Sequence, residues 1–195
     1  MNLPNQLTVS RLVLTVVFLG ALLIPFPFHQ TVALVLFVAA SITDYFDGTI
    51  ARSRGLITNF GILMDPLADK ILVCSAFIAF VELKWMPAWM VIVIVARELA
   101  ITGLRLLAAS KNLVLAAEGF GKHKTISQIV CISAILCSLA YPTWGDWART
   151  VFELRLGGPW IVGFTELSRW VAVGLTILSG TIYLSRNREV YLRDM

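Results

Sequence analysis

The chain has 195 residues, of which 58% are hydrophobic and only 14% are charged, and its formal net charge is +4. Soluble domains are about 45–50% apolar and about 25% charged, so this composition excludes an ordinary soluble protein and indicates a membrane protein with several spans. In such a chain basic residues mark cytoplasmic loops and contacts with anionic membrane lipids. We therefore expect no nucleic-acid partner.

Six hydrophobic runs follow one another, each near the length of about 20 residues that crosses hydrocarbon. The second run extends from about residue 31 into the first carboxylate pair, which begins at Asp44. The other five cover about 9–23, 60–80, 86–108, 125–141 and 160–184. The mixed segment before the first run predicts a short N-terminal juxtamembrane helix in the membrane interface. Residues 142–159 are predicted to form a loop. The sequence thus predicts an all-α, polytopic membrane protein with six transmembrane helices, forming a single domain over residues 1–195.

Basic residues are unequally divided between the two sides of these spans. Nine lie after the second and fourth runs and in the C-terminal tail, whereas three lie on the opposite side. Positively charged loops remain in the cytoplasm, so both termini and the carboxylates near Arg52 are predicted to face the cytoplasm.

Four aspartates lie in the facing flanks of the second and third runs, at Asp44, Asp47, Asp65 and Asp69. Spacings of three and four residues place each pair on one face of a helix. A carboxylate near hydrocarbon costs roughly 2.5 kcal/mol or more, and four together repel one another. Two divalent cations would cancel these charges, and hard oxygen ligands favour Mg²⁺, Mn²⁺ or Ca²⁺ over zinc. Alternatively, the aspartates pair with nearby bases such as Lys70.

Small and basic residues accompany the aspartates. Gly48, Gly61 and Ala51 would let a ligand approach the helices closely, and Arg52 could clamp a phosphate through two parallel hydrogen bonds. Bound cations beside them would stabilise charge as a phosphoanhydride breaks. These residues favour a two-metal site that holds a pyrophosphate.

The full pattern D-x2-D-G-x2-A-R-x8-G-x3-D-x3-D resembles the signature of the CDP-alcohol phosphotransferases, which are integral membrane enzymes of phospholipid synthesis, and all eight of its fixed positions are filled. The resemblance implies two bound Mg²⁺ or Mn²⁺ ions and a CDP-linked donor, with CMP as the leaving group. It implies that the four aspartates hold the metals and that Asp69 is also the general base. By the same resemblance, the nucleotide and pyrophosphate pocket is lined by Asn5, Thr8, Gly48, Ala51, Arg52 and Gly61. Family members are often homodimers.

A second group of basic residues follows the motif. Arg97 and Arg105 lie eight residues apart and so occupy broadly one side of the fourth run. Lys122 and Lys124 precede the fifth run, where they and the helix N-terminus are predicted to form an anion site. A basic pocket of this kind indicates an anionic acceptor alcohol. Glu98 either holds Arg97 in place, which we favour, or binds a hydroxyl of that alcohol.

Arg97-Glu98, Thr102-Gly-Leu-Arg105 and Gly121-Lys-His-Lys124-Thr125 are similar to the phosphatidylglycerophosphate synthase subgroup of the family. The subgroup implies transfer of a phosphatidyl group from CDP-diacylglycerol to sn-glycerol 3-phosphate in the bacterial inner membrane, with the active site facing the cytoplasm. It implies an acceptor phosphate site formed by Arg97, Thr102, Arg105, Lys122, Lys124 and Thr125.

Other functions remain open at this stage. Another CDP-alcohol phosphotransferase would use inositol phosphate, as in a phosphatidylinositol phosphate synthase, or serine, or a second phosphatidylglycerol. Inositol phosphate would also need basic residues, whereas serine needs no phosphate site. Membrane prenyltransferases also bind Mg²⁺ and pyrophosphate through aspartates, but they lack the spacing of Gly48 and Arg52. An ion transporter would place its carboxylates near the bilayer midplane, with interrupted helices and repeated halves.

Overall fold

The structure is a computed structural model that describes residues 3–54, 59–110, 119–153 and 159–188, with side chains described for 9–43, 70–109, 123–153 and 159–188. These described residues are helical apart from short turns, and they contain no strand, which confirms the all-α prediction for them. In chain order the α-helices are α1 (Leu3–Leu23), α2 (His29–Arg54), α3 (Asn59–Glu82), α4 (Ala88–Ser110), α5 (Gly119–Ala140), α6 (Asp146–Phe152) and α7 (Trp160–Arg186).

Six long helices coincide with the six hydrophobic runs. Among the described residues, His123–Trp144 and Trp160–Arg186 are long and apolar enough to cross a membrane, and Val9–Leu23 and His29–Thr43 are shorter apolar helical stretches. The fifth helix starts at Gly119, about six residues before the predicted start of its run. Lys124 therefore lies in the second turn of α5, and its predicted place at the helix N-terminus is wrong.

The prediction of a separate N-terminal helix is also wrong. Residues from Leu3 onward continue without a break into the first hydrophobic run as α1. Pro4 lies in the first turn of this helix. Backbone N–H groups there have no intrahelical acceptor, so the N–H that proline lacks costs no hydrogen bond. The mixed composition of the segment therefore did not signal a helix boundary.

The predicted loop 142–159 contains regular structure. A 3-10 turn spans Tyr141–Trp144, with a proline near its start, and α6 begins after Gly145. Gly145 has φ +91°, a conformation that side-chain-bearing residues rarely adopt, so it lets the chain reverse here. The indoles of Trp144 and Trp147 stack with centroids 6.3 Å apart. The Trp144 Nε1–H donates to the Thr31 hydroxyl over 2.8 Å, which ties this segment to α2.

The core is built from helix pairs that bring four helices around one polar centre. Helix α1 packs on α2 and α3, α5 packs on α7 and α2, and α4 packs on α7 and α3. Aromatic residues fill the centre of the first group, where the rings of Phe18 and Phe37 lie 5.7 Å apart and are fully buried. This packing places polar side chains of α3, α4, α5 and α7 next to one another.

Helix α7 buries small polar residues and exposes large apolar ones. The buried face carries Thr165, Ser168, Thr176, Ser179 and Gly180, whereas the exposed face carries Val162, Phe164, Leu167, Trp170, Ile177 and Leu178. Exposed apolar residues in this number are typical of a surface that contacts lipid, as expected for a membrane-bound protein. The inner hydroxyls satisfy their hydrogen bonds on the preceding turn, as when the Thr176 Oγ1–H donates to the Ala172 carbonyl over 2.6 Å.

Candidate active site

Glu98 on α4 is the centre of a buried ionic cluster. The residue is 3% exposed, and its carboxylate accepts a hydrogen bond from the Lys124 ammonium of α5. The same carboxylate lies 3.4 Å from Arg97 Nη1 and 3.8 Å from Lys70 Nζ of α3. An isolated buried carboxylate would be strongly unfavourable, so these partners permit its burial.

The cluster carries more positive than negative charge. Lys70, Arg97 and Lys124 face one carboxylate, that of Glu98, among the described side chains. Three cations and one anion leave a net charge of about +2 in a low-dielectric region, where electrostatic attraction is stronger than in water. The cluster would therefore attract a dianion such as a phosphate monoester.

Lys70 connects the helix of the second aspartate pair to the cluster. It follows Asp69 directly in α3, and its ammonium donates to the Thr102 hydroxyl and, over 3.3 Å, to the Glu98 carbonyl. The Thr102 hydroxyl in turn donates to the same carbonyl over 2.7 Å. Lys70 thereby links α3 to α4 one residue after Asp69.

The two arginines of α4 contact α7. Arg97 Nη2 donates to Ser179 Oγ over 3.3 Å, and Arg105 Nε donates to the Tyr183 hydroxyl over 3.2 Å. The Arg105 guanidinium also lies 5.5 Å from the centre of the Tyr183 ring, which is within cation–π range. Both arginines are thus held by side chains more than 75 residues further along the chain.

A cavity of about 180 Å³ adjoins the cluster. At about 30 Å³ per water molecule this is room for about six waters, enough for a small polar group. The cavity lies between Ser41, one turn before Asp44 in α2, and Lys70, one residue after Asp69 in α3. Its polar lining consists of Arg11, Ser41, Lys70, Glu98, Lys124, Thr125 and Gln128.

The structure brings together part of the predicted acceptor site. Lys124 and Thr125 line the cavity, while Arg97 and Thr102 contact its wall through Glu98 and Lys70. Arg105 lies further along α4 and contacts Tyr183. The favoured role of Glu98 as a partner of Arg97 is confirmed, but Glu98 also binds two lysines.

The remaining predicted site residues lie in helices but outside the described side chains. They are Asn5 and Thr8 in α1, Asp44, Asp47, Gly48, Ala51 and Arg52 in α2, Gly61, Asp65 and Asp69 in α3, and Lys122 in α5. Among the described side chains, no group of three or more His, Cys, Asp or Glu could hold a metal ion. Both aspartate pairs do lie within helices, as their predicted spacing requires.

Sequence reasoning missed several residues of the cluster. Lys70 was considered only as a partner of the aspartates, and Gln128, Ser179 and Tyr183 were not singled out. The Gln128 amide is 1% exposed and donates to the Thr176 hydroxyl over 3.1 Å, joining α5 to α7. A glutamine within an apolar run was the available signal, because buried amides need partners.

Comparison with known proteins assigns this arrangement to a family. Residues 1–178 match the family described as CDP-alcohol phosphatidyltransferase, so the chain belongs to that family of membrane-bound transferases. The predicted family and the prediction of an enzyme are confirmed. Members of this family generally use divalent metal ions.

Several similar relatives share a name. The chain is 42% identical to the CDP-diacylglycerol–glycerol-3-phosphate 3-phosphatidyltransferase of Bacillus subtilis, over 96% of each chain. It is 32% identical to the protein of the same name from Rickettsia bellii, over 97% of each chain. The Mycoplasma pneumoniae protein of that name is 38% identical over 67% of this chain and 66% of its own length.

Proposed function

We propose that this chain transfers the phosphatidyl group of CDP-diacylglycerol to sn-glycerol 3-phosphate and releases CMP and phosphatidylglycerol phosphate. The names of its relatives describe this reaction. The observation that carries the proposal is the cationic excess around Glu98, beside a cavity next to both aspartate-bearing helices. A phosphorylated acceptor needs such a charge, whereas serine does not.

The four aspartates, Asp44, Asp47, Asp65 and Asp69, would hold two divalent cations, Mg²⁺ or Mn²⁺. Helical spacing puts each pair on one face, and carboxylate oxygens are the ligands that these ions prefer. The bound ions would neutralise charge on the pyrophosphate. Around them, the nucleotide and pyrophosphate pocket would be lined by Asn5, Thr8, Gly48, Ala51, Arg52 and Gly61.

Asp69 would act as general base in the transfer step. Its carboxylate takes the proton of an acceptor hydroxyl, whose oxygen forms a bond to the β-phosphorus of the donor. The phosphoanhydride bond to CMP breaks, and its electron pair leaves with the CMP phosphate. Because Lys70 is anchored to Thr102 and Glu98, the backbone beside Asp69 is held against the acceptor cavity.

The acceptor phosphate would be held by basic residues of α4 and α5, namely Arg97, Arg105, Lys122 and Lys124. The hydroxyls of Thr102 and Thr125 would also bind it. Phosphate oxygens form strong, short hydrogen bonds with such cations. Lys124 and Thr125 line the cavity directly. The net positive charge favours a dianionic acceptor over a neutral alcohol.

The six long helices would cross the bacterial inner membrane with both termini and the active site in the cytoplasm. This topology follows from the nine basic residues on one side and three on the other. The chain would form a single domain over residues 1–195 and would assemble as a homodimer, as members of the family often do.

The function is tested by offering purified protein CDP-diacylglycerol and Mg²⁺ with one alcohol at a time. We expect CMP release with sn-glycerol 3-phosphate and little with inositol phosphate or serine. Arg105→Ala should raise KM for glycerol 3-phosphate about 10- to 150-fold, the equivalent of one charged hydrogen bond of about 1.5–3 kcal/mol. Arg149→Ala, on exposed α6, should leave KM unchanged. Preference for another alcohol, or equal effects of Arg105→Ala on both substrates, would refute the proposal.

A further inference from the structure

We propose that Gly180 and Ser179 of α7 are positioning residues for the acceptor site, because they hold Arg97 against Glu98. The inference rests on the proposed function, since it takes the cluster around Glu98 as the acceptor phosphate site. It extends that site to the last helix, which carries none of the residues of the sequence motifs.

Gly180 is the point where α7 approaches the stem of Arg97. A Cβ atom added to Gly180 would lie 2.9 Å from Arg97 Cγ and 3.8 Å from its Nε. Nonbonded carbon atoms prefer a separation of about 3.5–4.0 Å, so alanine at this position cannot coexist with the present Arg97 side chain. The clash falls on the stem of the side chain, which moves only if the whole guanidinium moves.

Ser179 fixes the other end of the same side chain. Its hydroxyl accepts from Arg97 Nη2 over 3.3 Å, while Arg97 Nη1 lies 3.4 Å from the Glu98 carboxylate. The guanidinium thus bridges α7 to the carboxylate that also binds Lys124. Ser179 is itself buried, and its hydroxyl is close enough to the Thr176 carbonyl, at 3.2 Å, to donate to it.

A shift of Arg97 would therefore reach the cavity through two contacts. Arg97 sets the position of Glu98, and Glu98 sets the position of Lys124, which lines the cavity. Misplacement of a binding group by about 1 Å can lower activity by about 10²-fold. The effect should fall on the acceptor substrate, because Gly180 and Ser179 both contact Arg97 of the acceptor cluster.

The test is a steady-state comparison of Gly180→Ala with Gly174→Ala. Gly174 lies on the same helix, and a Cβ there would meet nothing within 4 Å. We expect Gly180→Ala to raise KM for glycerol 3-phosphate by about tenfold while KM for CDP-diacylglycerol stays unchanged, and Gly174→Ala to match the wild type. Ser179→Ala, which adds no bulk, should raise the same KM by about three- to tenfold.

A double-mutant cycle with Arg97→Ala tests whether Gly180→Ala acts through the Arg97 side chain. Removing the Arg97 stem makes room for the new Cβ, so Gly180→Ala should add no further rise in KM and no further loss of thermal stability to Arg97→Ala. This stability comparison remains informative even if Gly180→Ala alone folds poorly. Additive effects of the two substitutions, or a wild-type KM in both Gly180→Ala and Ser179→Ala, would overturn the inference.

Failure of the proposed function gives a different pattern. If wild-type protein releases no CMP with glycerol 3-phosphate, or if Arg97→Ala leaves its KM unchanged, the acceptor cluster itself is refuted. If the wild type is active and Arg97→Ala raises KM but Gly180→Ala and Ser179→Ala do not, only the role of α7 is refuted.

Discussion

Glu98→Gln is the most direct test of the ionic cluster, because it removes one charge and keeps nearly the same shape. In the native protein the carboxylate binds Lys124 and lies within 4 Å of Arg97 and Lys70. The substitution raises the net charge of these four residues from +2 to +3. It also places an amide next to three cations that cannot accept its hydrogen bonds.

Removal of one partner from a buried ion pair typically costs about 3–5 kcal/mol, because the other charge stays buried without compensation. For a domain of this size each kilocalorie corresponds to about 2–4 °C in the melting temperature, so we expect a decrease of about 6–20 °C. The assay is thermal unfolding of the purified protein in detergent, followed by intrinsic tryptophan fluorescence.

The matched control is Asp146→Asn. Asp146 on α6 lies 3.8 Å from Arg149 Nη1, and the side chains of both residues are exposed. Exposed pairs contribute about 1 kcal/mol or less, so this variant should melt within a few degrees of the wild type. Inorganic phosphate should restore part of the stability of Glu98→Gln, since an anion can replace the lost charge. Equal melting temperatures for Glu98→Gln and the wild type would refute the cluster as a cationic centre that depends on one carboxylate.

Three further predictions concern single side chains. Asp69→Asn should abolish CMP release while CDP-diacylglycerol binding remains measurable by calorimetry, and full turnover in this variant would exclude the general-base role. Tyr183→Phe should raise KM for glycerol 3-phosphate by about three- to tenfold through loss of its bond to Arg105, and an unchanged KM would show that the bond is dispensable. Gln128→Ala should lower the free energy of unfolding by about 1–3 kcal/mol, since it leaves the Thr176 hydroxyl without its donor; a smaller loss in a Thr176→Val background would confirm the pairing.

Much of the helical architecture followed from hydrophobic runs alone, because each run is long enough to cross a membrane and ends near prolines or charges. The boundaries were less accurate where these signals were weak. The short α6 was missed because stacking of Trp144 on Trp147, rather than local helix propensity, stabilises this segment. The start of α5 was missed because Lys122, His123 and Lys124 suggested a loop.

The ionic cluster was only partly predictable. Arg97 and Glu98 are adjacent in the sequence, so their pairing was anticipated, and basic residues after the fourth run indicated an anion site. The contacts of Glu98 with Lys70 and Lys124 join residues 28 and 26 positions apart, and helix packing rather than spacing determines them. Gly180 gave no signal at all, since only the approach of Arg97 explains the need for a missing side chain there.

The arrangement of α7 has a consequence for how this helix tolerates substitution. Its buried side carries Thr165, Ser168, Thr176, Ser179 and Gly180, whereas Leu167, Trp170 and Leu178 are exposed. Exchange of one large aliphatic residue for another on the outer side should therefore be nearly neutral, because lipid chains adapt to shape. On the buried side a methyl group added at Gly180 meets Arg97, so a mutational scan of this helix should show intolerance at its small buried residues and tolerance at its large exposed ones.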